Sequence, residues 1–245
     1  MLTQTSLKVP TAVVFDMDGT LLDTERLAVE CWVQVFQRFS IDMPRSAIES
    51  TVACSAQEKQ QIFMDNLPPS LLASLDAEEI LEAWKGVLVQ RLRNGGIQVK
   101  PGAREMLLSL RELGIPAAVA TSSSSLFATP FLQATGLLPL LKVVVCGEDV
   151  EEVKPSPLLY LEALGRLGVR AEDAWAVEDS SQGIESAVAA GIPVVHVPDL
   201  QAVSVQTRTM AWKECTTLNE LNSFLDLMVR SEWGESQVDS SAEAA

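Results

Sequence analysis

Two aspartates separated by one residue, Asp16 and Asp18, follow directly on the apolar run Ala12–Phe15. At the end of an extended strand, residues i and i+2 point the same way, so this spacing predicts two carboxylates side by side. Carboxylates so placed repel each other unless a cation lies between them. A second acidic pair, Glu178-Asp179, follows the apolar run at 174–177. Such a cluster calls for a hard, oxygen-binding ion, and Mg²⁺ fits because it accepts a few carboxylates and keeps its remaining waters. Any one of these aspartates alone reads more simply as a helix or turn cap; four acids, each at a strand end, do not. The run at 117–120 leads into Thr121-Ser122-Ser123 and brings hydroxyls to the same place. Lys154 stands in a Lys-Pro pair, ordinarily a surface loop. Its position between the third apolar run and Glu178-Asp179 argues for the site instead.

The elements that must position these groups are short. Runs at 12–15, 117–120, 143–146, 174–177 and 194–197 are nearly all apolar, as expected of strands buried on both faces of a parallel sheet. Helical patterns lie between them: Met106, Leu107, Leu110 and Leu113 share one face, as do Ile184, Ala187, Val188 and Gly191. The alternation predicts a doubly wound α/β fold, in which ligands bind beyond the carboxyl ends of the strands near the topological switch. One stretch, residues 25–94, carries no strand signal. Leu27, Cys31, Val35 and Phe39 recur there at helical spacing, and Ile80, Trp84, Val87, Leu88 and Leu92 mark another helix. It is expected to be a helical domain inserted after the first strand, with Gly95-Gly96 and Pro101-Gly102 as the return hinge. Residues 1–24 and 95–233 then form the α/β core, and the small, polar, acidic stretch 234–245 a disordered tail.

Composition narrows the partners. The 245 residues carry a formal net charge of −15, with 47% hydrophobic and 21% charged residues. A packed core is expected, and nucleic acid is not, because phosphate backbones are bound by clustered Lys and Arg. An anionic small molecule needs a cation and a local lysine to offset the field. Cys31, Cys54, Cys146 and Cys215 are widely spaced, form no CxxC pair and predict reduced thiols. No apolar run approaches the ~20 residues that span a bilayer, and the first residues lack a signal peptide's apolar stretch. A cytoplasmic protein without membrane or nucleic-acid partners, monomeric or weakly dimeric, is expected.

These residues resemble the haloacid dehalogenase superfamily over nearly the whole chain. The segment Phe15 to Glu25, FDMDGTLLDTE, is similar to its first motif, DxDGT; Thr121 stands at the hydroxyl motif, Lys154-Pro155 at the basic motif, and Glu178-Asp179-Ser180 with Gly183 at the acidic motif. The order and spacing, with a helical insert after the first motif, resemble the β-phosphoglucomutase-like branch. The resemblance implies a Rossmann-like core with an α-helical cap domain and a Mg²⁺-dependent phosphohydrolase acting on a small phosphorylated metabolite. By the same resemblance Asp16 is the nucleophile that forms an aspartyl-phosphate, and Asp18 the general acid and base, its backbone carbonyl also binding the metal. Thr121, Ser122 and Lys154 hold the phosphoryl oxygens. Asp16 and Asp179 complete the metal ligands, with Glu178 as a further ligand or a partner behind them. Asp18 argues against dehalogenation, which attacks carbon and needs no acid for an alkoxide.

The chain also departs from the mutases of that branch. Ala28 stands where they carry a histidine. Val52, Ala53 and Ala56, with Cys54-Ser55 between, stand where they carry a charged clamp for a sugar phosphate. A mutase needs a second anion site, so the expectation is a phosphatase, with a sugar phosphate mutase and a non-catalytic regulator of the same fold as alternatives. Leu158 replaces a common Asp after KPxP, and the run Ser122–Ser125 lacks a basic residue often found after the hydroxyl motif. His196, the only histidine, is expected at a strand end rather than in the chemistry. Trp32, Trp84 and Trp212 are expected mainly in packing, with Trp32 and Phe36 as candidates for lining a cap–core cleft.

Overall fold

The computed structural model describes residues 8–52, 54, 56–72 and 76–234. The expected tail beyond Gly234 and positions Ala53 and Ser55 lie outside them. Six parallel strands form one sheet: β1 (Ala12–Phe15), β2 (Ala117–Ala120), β3 (Val143–Val145), β4 (Ala174–Glu178), β5 (Val194–His196) and β6 (Lys213–Glu214). Their order is β3-β2-β1-β4-β5-β6. The chain thus steps outward from β1 through β2 and β3, then returns to the other flank of β1 with β4. The topological switch lies between β1 and β4, the strands that carry the acids. Phe15 pairs with Val177, and the Asp16 N–H donates to the Val177 carbonyl at 2.9 Å. Asp16 and Glu178 therefore leave the sheet on adjoining strands at the same level.

The apolar runs become strands with small shifts at their ends. β3 stops before Cys146, whose N–H is taken by the Asp149 carboxylate at 2.8 Å. β6 was not foreseen, because a two-residue Lys-Glu strand at a sheet edge has no periodicity to read. Along β1, Ala12 and Val14 face one side. They join Ala118, Ala120, Ala174 and Ala176 in a core with Leu159, Tyr160, Ala163 and Leu164. So many alanines keep this face of the sheet shallow, and helix Leu158–Leu167 can lie close over β1, β2 and β3. Helix Ala103–Glu112 packs against helix Leu218–Trp233 and buries Met106, Leu107 and Leu110, with Leu113 as its C-cap.

The chain divides into two compact units, one running to Leu22 and resuming at Val99, the other spanning Asp23–Gln98. The second contains helices Thr24–Arg38, Arg45–Glu49, Ala56–Asp65, Pro69–Leu72 and Ala77–Arg93, and no strand among its described residues. Leu27, Cys31, Val35 and Phe36 are buried along the first of these. Trp32 stacks on Phe36 and on Trp84 (ring centroids 5.6 and 5.4 Å), and Phe63 meets both Trp32 and Phe36 edge-on. These rings pack on one another inside the helical unit. The Asp76 carboxylate caps helix Ala77–Arg93 by accepting the Glu78 N–H at 2.9 Å.

Candidate active site

Asp16 is the first residue past β1 and only 7% exposed. Its Oδ1 accepts a hydrogen bond from Lys154 Nζ. Lys154 is itself 8% exposed and bonds a second carboxylate, Glu178 Oε1, at 2.6 Å. A solvated surface lysine would show neither feature. Oxygens of Asp16, Glu178 and Asp179 all lie within 4.8 Å of one another. This all-oxygen donor set suits a hard divalent cation.

Two glycines leave room for the cluster. Gly19 has φ +86°, and a Cβ there would fall onto the Asp179 carboxylate. A Cβ on Gly183 would fall inside the Glu178 carboxylate. Thr20 Oγ1 donates to Asp179 Oδ1 at 3.2 Å, and Ser180 caps helix Ser181–Ala189 by accepting the Gly183 N–H at 3.0 Å.

Asp18 sits differently from the extended-strand expectation. The strand ends at Phe15, and Asp18 lies in the turn that follows, bridged to Leu22. Its carboxylate is not part of the three-acid group; Oδ2 accepts from Thr121 Oγ1 at 3.0 Å and Ser123 Oγ at 2.7 Å. Thr121 is fully buried and Ser122 exposed. The hydroxyl that joins Thr121 on Asp18 is therefore that of Ser123. Beyond the strand end the alternation of an extended chain no longer has to hold, so the sequence did not say which of the two serines would reach Asp18. Thr20 and Tyr160 were also missed. The signal for Tyr160 was a lone phenol in the otherwise apolar face of helix 158–167.

The electrostatics follow from a shortage of positive charge. Three buried carboxylates share one ammonium. Burial pushes Asp16 up to about 8 against the pull of Lys154, and the Glu178 and Asp18 charges push the same way. Burial and the charges of Asp16 and Glu178 hold Asp179 well above the carboxylate range. Burial alone would lower Lys154, yet Asp16 and Glu178 together raise it above an ordinary amine. The lysine stays charged, and the deficit falls on the carboxylates, which need a proton or a cation. His196 is buried at the end of β5, its Nδ1 3.6 Å from Glu214, and burial lowers its pKa.

Fold and site define a Rossmann-like α/β enzyme whose carboxylate–lysine cluster lies at the topological switch of a parallel sheet. The sequence profile of the haloacid dehalogenase-like hydrolases matches residues 13–197, and the chain belongs to that family. It is 31% identical over 185 residues to the phosphorylated carbohydrates phosphatase of Thermotoga maritima, covering 76% of this chain and 83% of that protein. It is 30% identical over 179 residues to the validoxylamine A 7'-phosphate phosphatase of Streptomyces hygroscopicus, covering 73% and 81%. Among solved structures, CbbY from Rhodobacter sphaeroides in complex with phosphate superposes with a TM-score of 0.72 at 27% identity, over 86% of this chain and 96% of that one. No helix among the described residues is long and apolar enough to cross a membrane.

Proposed function

We propose that this protein is a Mg²⁺-dependent phosphatase that hydrolyses a small phosphorylated metabolite, such as a sugar phosphate, through an aspartyl-phosphate on Asp16. The observation that carries this reading is the buried Asp16 carboxylate held by Lys154 beside Asp179. The phosphatase names of its relatives and the phosphate in the CbbY structure support it.

In the first step an Asp16 oxygen attacks phosphorus. The bond from phosphorus to the ester oxygen breaks, and Asp18 gives its proton to the leaving oxygen. In the second step Asp18 takes a proton from water as that water attacks phosphorus, which returns the Asp16 carboxylate and releases inorganic phosphate. The Ser123 hydroxyl holds the Asp18 carboxylate for both transfers, and Thr121, which donates to Asp18 in the free protein, turns its single hydroxyl proton to a phosphoryl oxygen when substrate binds. Lys154, Thr121 and Ser122 bind the phosphoryl oxygens. Asp16, Asp179 and the Asp18 carbonyl hold the cation, with Glu178 as a further ligand or a partner behind them. When bound, the cation supplies the positive charge that three carboxylates and a phosphoryl group lack beside a single lysine. Residues 1–24 and 95–233 act as the catalytic core, and the helical insert 25–94 as the family's cap domain. The enzyme works in the cytoplasm as a monomer or weak dimer, without nucleic acid or membrane.

The test is a panel of sugar phosphates, nucleotides, phosphoglycolate and p-nitrophenyl phosphate, assayed with chelator and then with added Mg²⁺. Phosphate release that stops on chelation and returns with Mg²⁺ is expected. Release that ignores the chelator, or isomer formation in place of inorganic phosphate, would refute the proposal.

A further inference from the structure

Lys154 is held by more than its two carboxylates. Tyr160, the only tyrosine of the chain, lies fully buried on helix Leu158–Leu167. Its hydroxyl donates to Glu178 Oε1 at 2.7 Å, the same oxygen that accepts Lys154 Nζ. The ammonium also lies 5.3 Å from the centroid of the Tyr160 ring, within reach of the attraction between a cation and an aromatic face. One side chain thus touches both members of the pair.

The other carboxylate oxygen is equally committed. Glu178 Oε2 accepts the Asp179 N–H and the Ser180 hydroxyl, each at 3.2 Å. Gly183 closes the remaining side, since even a methyl group there would collide with the Glu178 carboxylate. Glu178 cannot swing without leaving buried donors unpaired, which is costly in a dry site. Its two oxygens are taken up by protein donors, which suits a fixed counter-charge more than a mobile ligand. The direction of the Lys154 ammonium is then set by the direction of Glu178 Oε1, and Tyr160 helps to fix both.

We propose that Tyr160 is a positioning residue for phosphoryl binding, its hydroxyl anchoring the Glu178 carboxylate and its ring face seating the Lys154 ammonium where it meets a phosphoryl oxygen. The proposal rests on the phosphatase reading above. Tyr160 itself touches no reacting atom. A hydroxyl present only to satisfy its own burial would affect stability alone; a positioning hydroxyl acts through Lys154 and so becomes irrelevant once Lys154 is gone.

The test is a double-mutant cycle on the full chain with Tyr160→Phe, Lys154→Ala and the pair, read by calorimetric affinity for inorganic phosphate in excess Mg²⁺ and by KM and kcat on p-nitrophenyl phosphate. Tyr160→Phe keeps the ring and is expected to weaken phosphate binding about tenfold and to raise KM more than it lowers kcat. In the Lys154→Ala background the same change is expected to alter phosphate affinity less than about twofold. Equal losses in both backgrounds, or wild-type phosphate affinity in Tyr160→Phe, would overturn the proposal. Should Tyr160→Phe not fold, Glu178→Asp carries the test: one methylene fewer withdraws the carboxylate from Tyr160 and Lys154. It is expected to cost comparable phosphate affinity, and full affinity would overturn the idea. A wild type that binds phosphate but turns over no substrate would sink the phosphatase reading while the cycle still decides Tyr160. A wild type that binds no phosphate would sink both.

Discussion

The α/β unit buries Asp16, Lys154, Glu178 and Asp179, each less than a tenth exposed, in a single connected group. The helical unit Asp23–Gln98 is built on other terms. Among its described residues the only buried polar side chains are Thr24 and Thr51, and no charged group is buried; Arg45, for example, pairs with Glu30 and Glu49 at the surface. Its interior is the cluster of Trp32, Phe36, Phe63 and Trp84. Packed aromatic rings are among the larger contributors to stability. Buried, imperfectly neutralised charges cost stability and persist where chemistry needs them. The contrast separates the two roles: substitutions at the sheet edge should remove reaction and spare the fold, and substitutions among the rings should do the reverse.

The sharpest way to break that contrast is Asp16→Asn. On the proposed mechanism this removes the attacking carboxylate and should cut phosphate release by at least about a thousandfold, while the melting temperature stays within a few degrees, because the variant also relieves crowding of three carboxylates around one lysine. Comparable loss of both activity and fold would erase the distinction.

Phe36→Ala should show the opposite pattern. Phe36 is 3% exposed and in contact with two other rings, so removing it should destabilise the protein by about 3 kcal/mol in urea unfolding. A cost under about 1 kcal/mol would show that the rings are not the core of the helical unit.

The pH dependence of stability sharpens the comparison from the acidic side. Burial raises Asp16 from the ordinary 3.8 to about 8 in the folded chain. The folded state therefore keeps a proton that the unfolded chain gives up. The stability this provides is complete below the unfolded value and is lost as pH rises through the folded one. With chelator present, the melting temperature should fall between about pH 5 and about pH 8, and excess Mg²⁺ should flatten that fall by taking the proton's place. A metal-free protein that gains stability over this range would contradict the account of the cluster. The smallest effect is expected from Arg45→Ala, which removes two exposed ion pairs of the helical unit. Its melting temperature should move by no more than about 1 °C, and a larger change would mean that surface charge matters more in this unit than its rings suggest.

Much of this was legible beforehand. Apolar runs rich in Val and Ala marked five of the six strands, and the three that lead into Asp16, Thr121 and Glu178 marked the edge where the acids and hydroxyls gather, because a strand buried on both faces must be apolar and its end is the first place where polar groups can stand. Lys154 was legible from its place in the chain, although its burial was not. The sixth strand was silent, since Lys213-Glu214 is paired only because Val195 and His196 offer an edge to it. The choice of Ser123 over Ser122 depended on how the loop after β2 turns.

The chain's own order of residues determined that acids and a lysine would collect at the carboxyl ends of parallel strands, because strand polarity and alternation are local properties. Which of those groups share a proton, a lysine or a cation was decided only by tertiary structure. Glu178 and Tyr160 are 18 residues apart, on a strand and on a helix that meet because the alanine-rich sheet lets that helix lie close. Hydrogen bonds and charge coupling depend on distances of a few ångströms in a dry interior, and those distances exist only once the layers have packed.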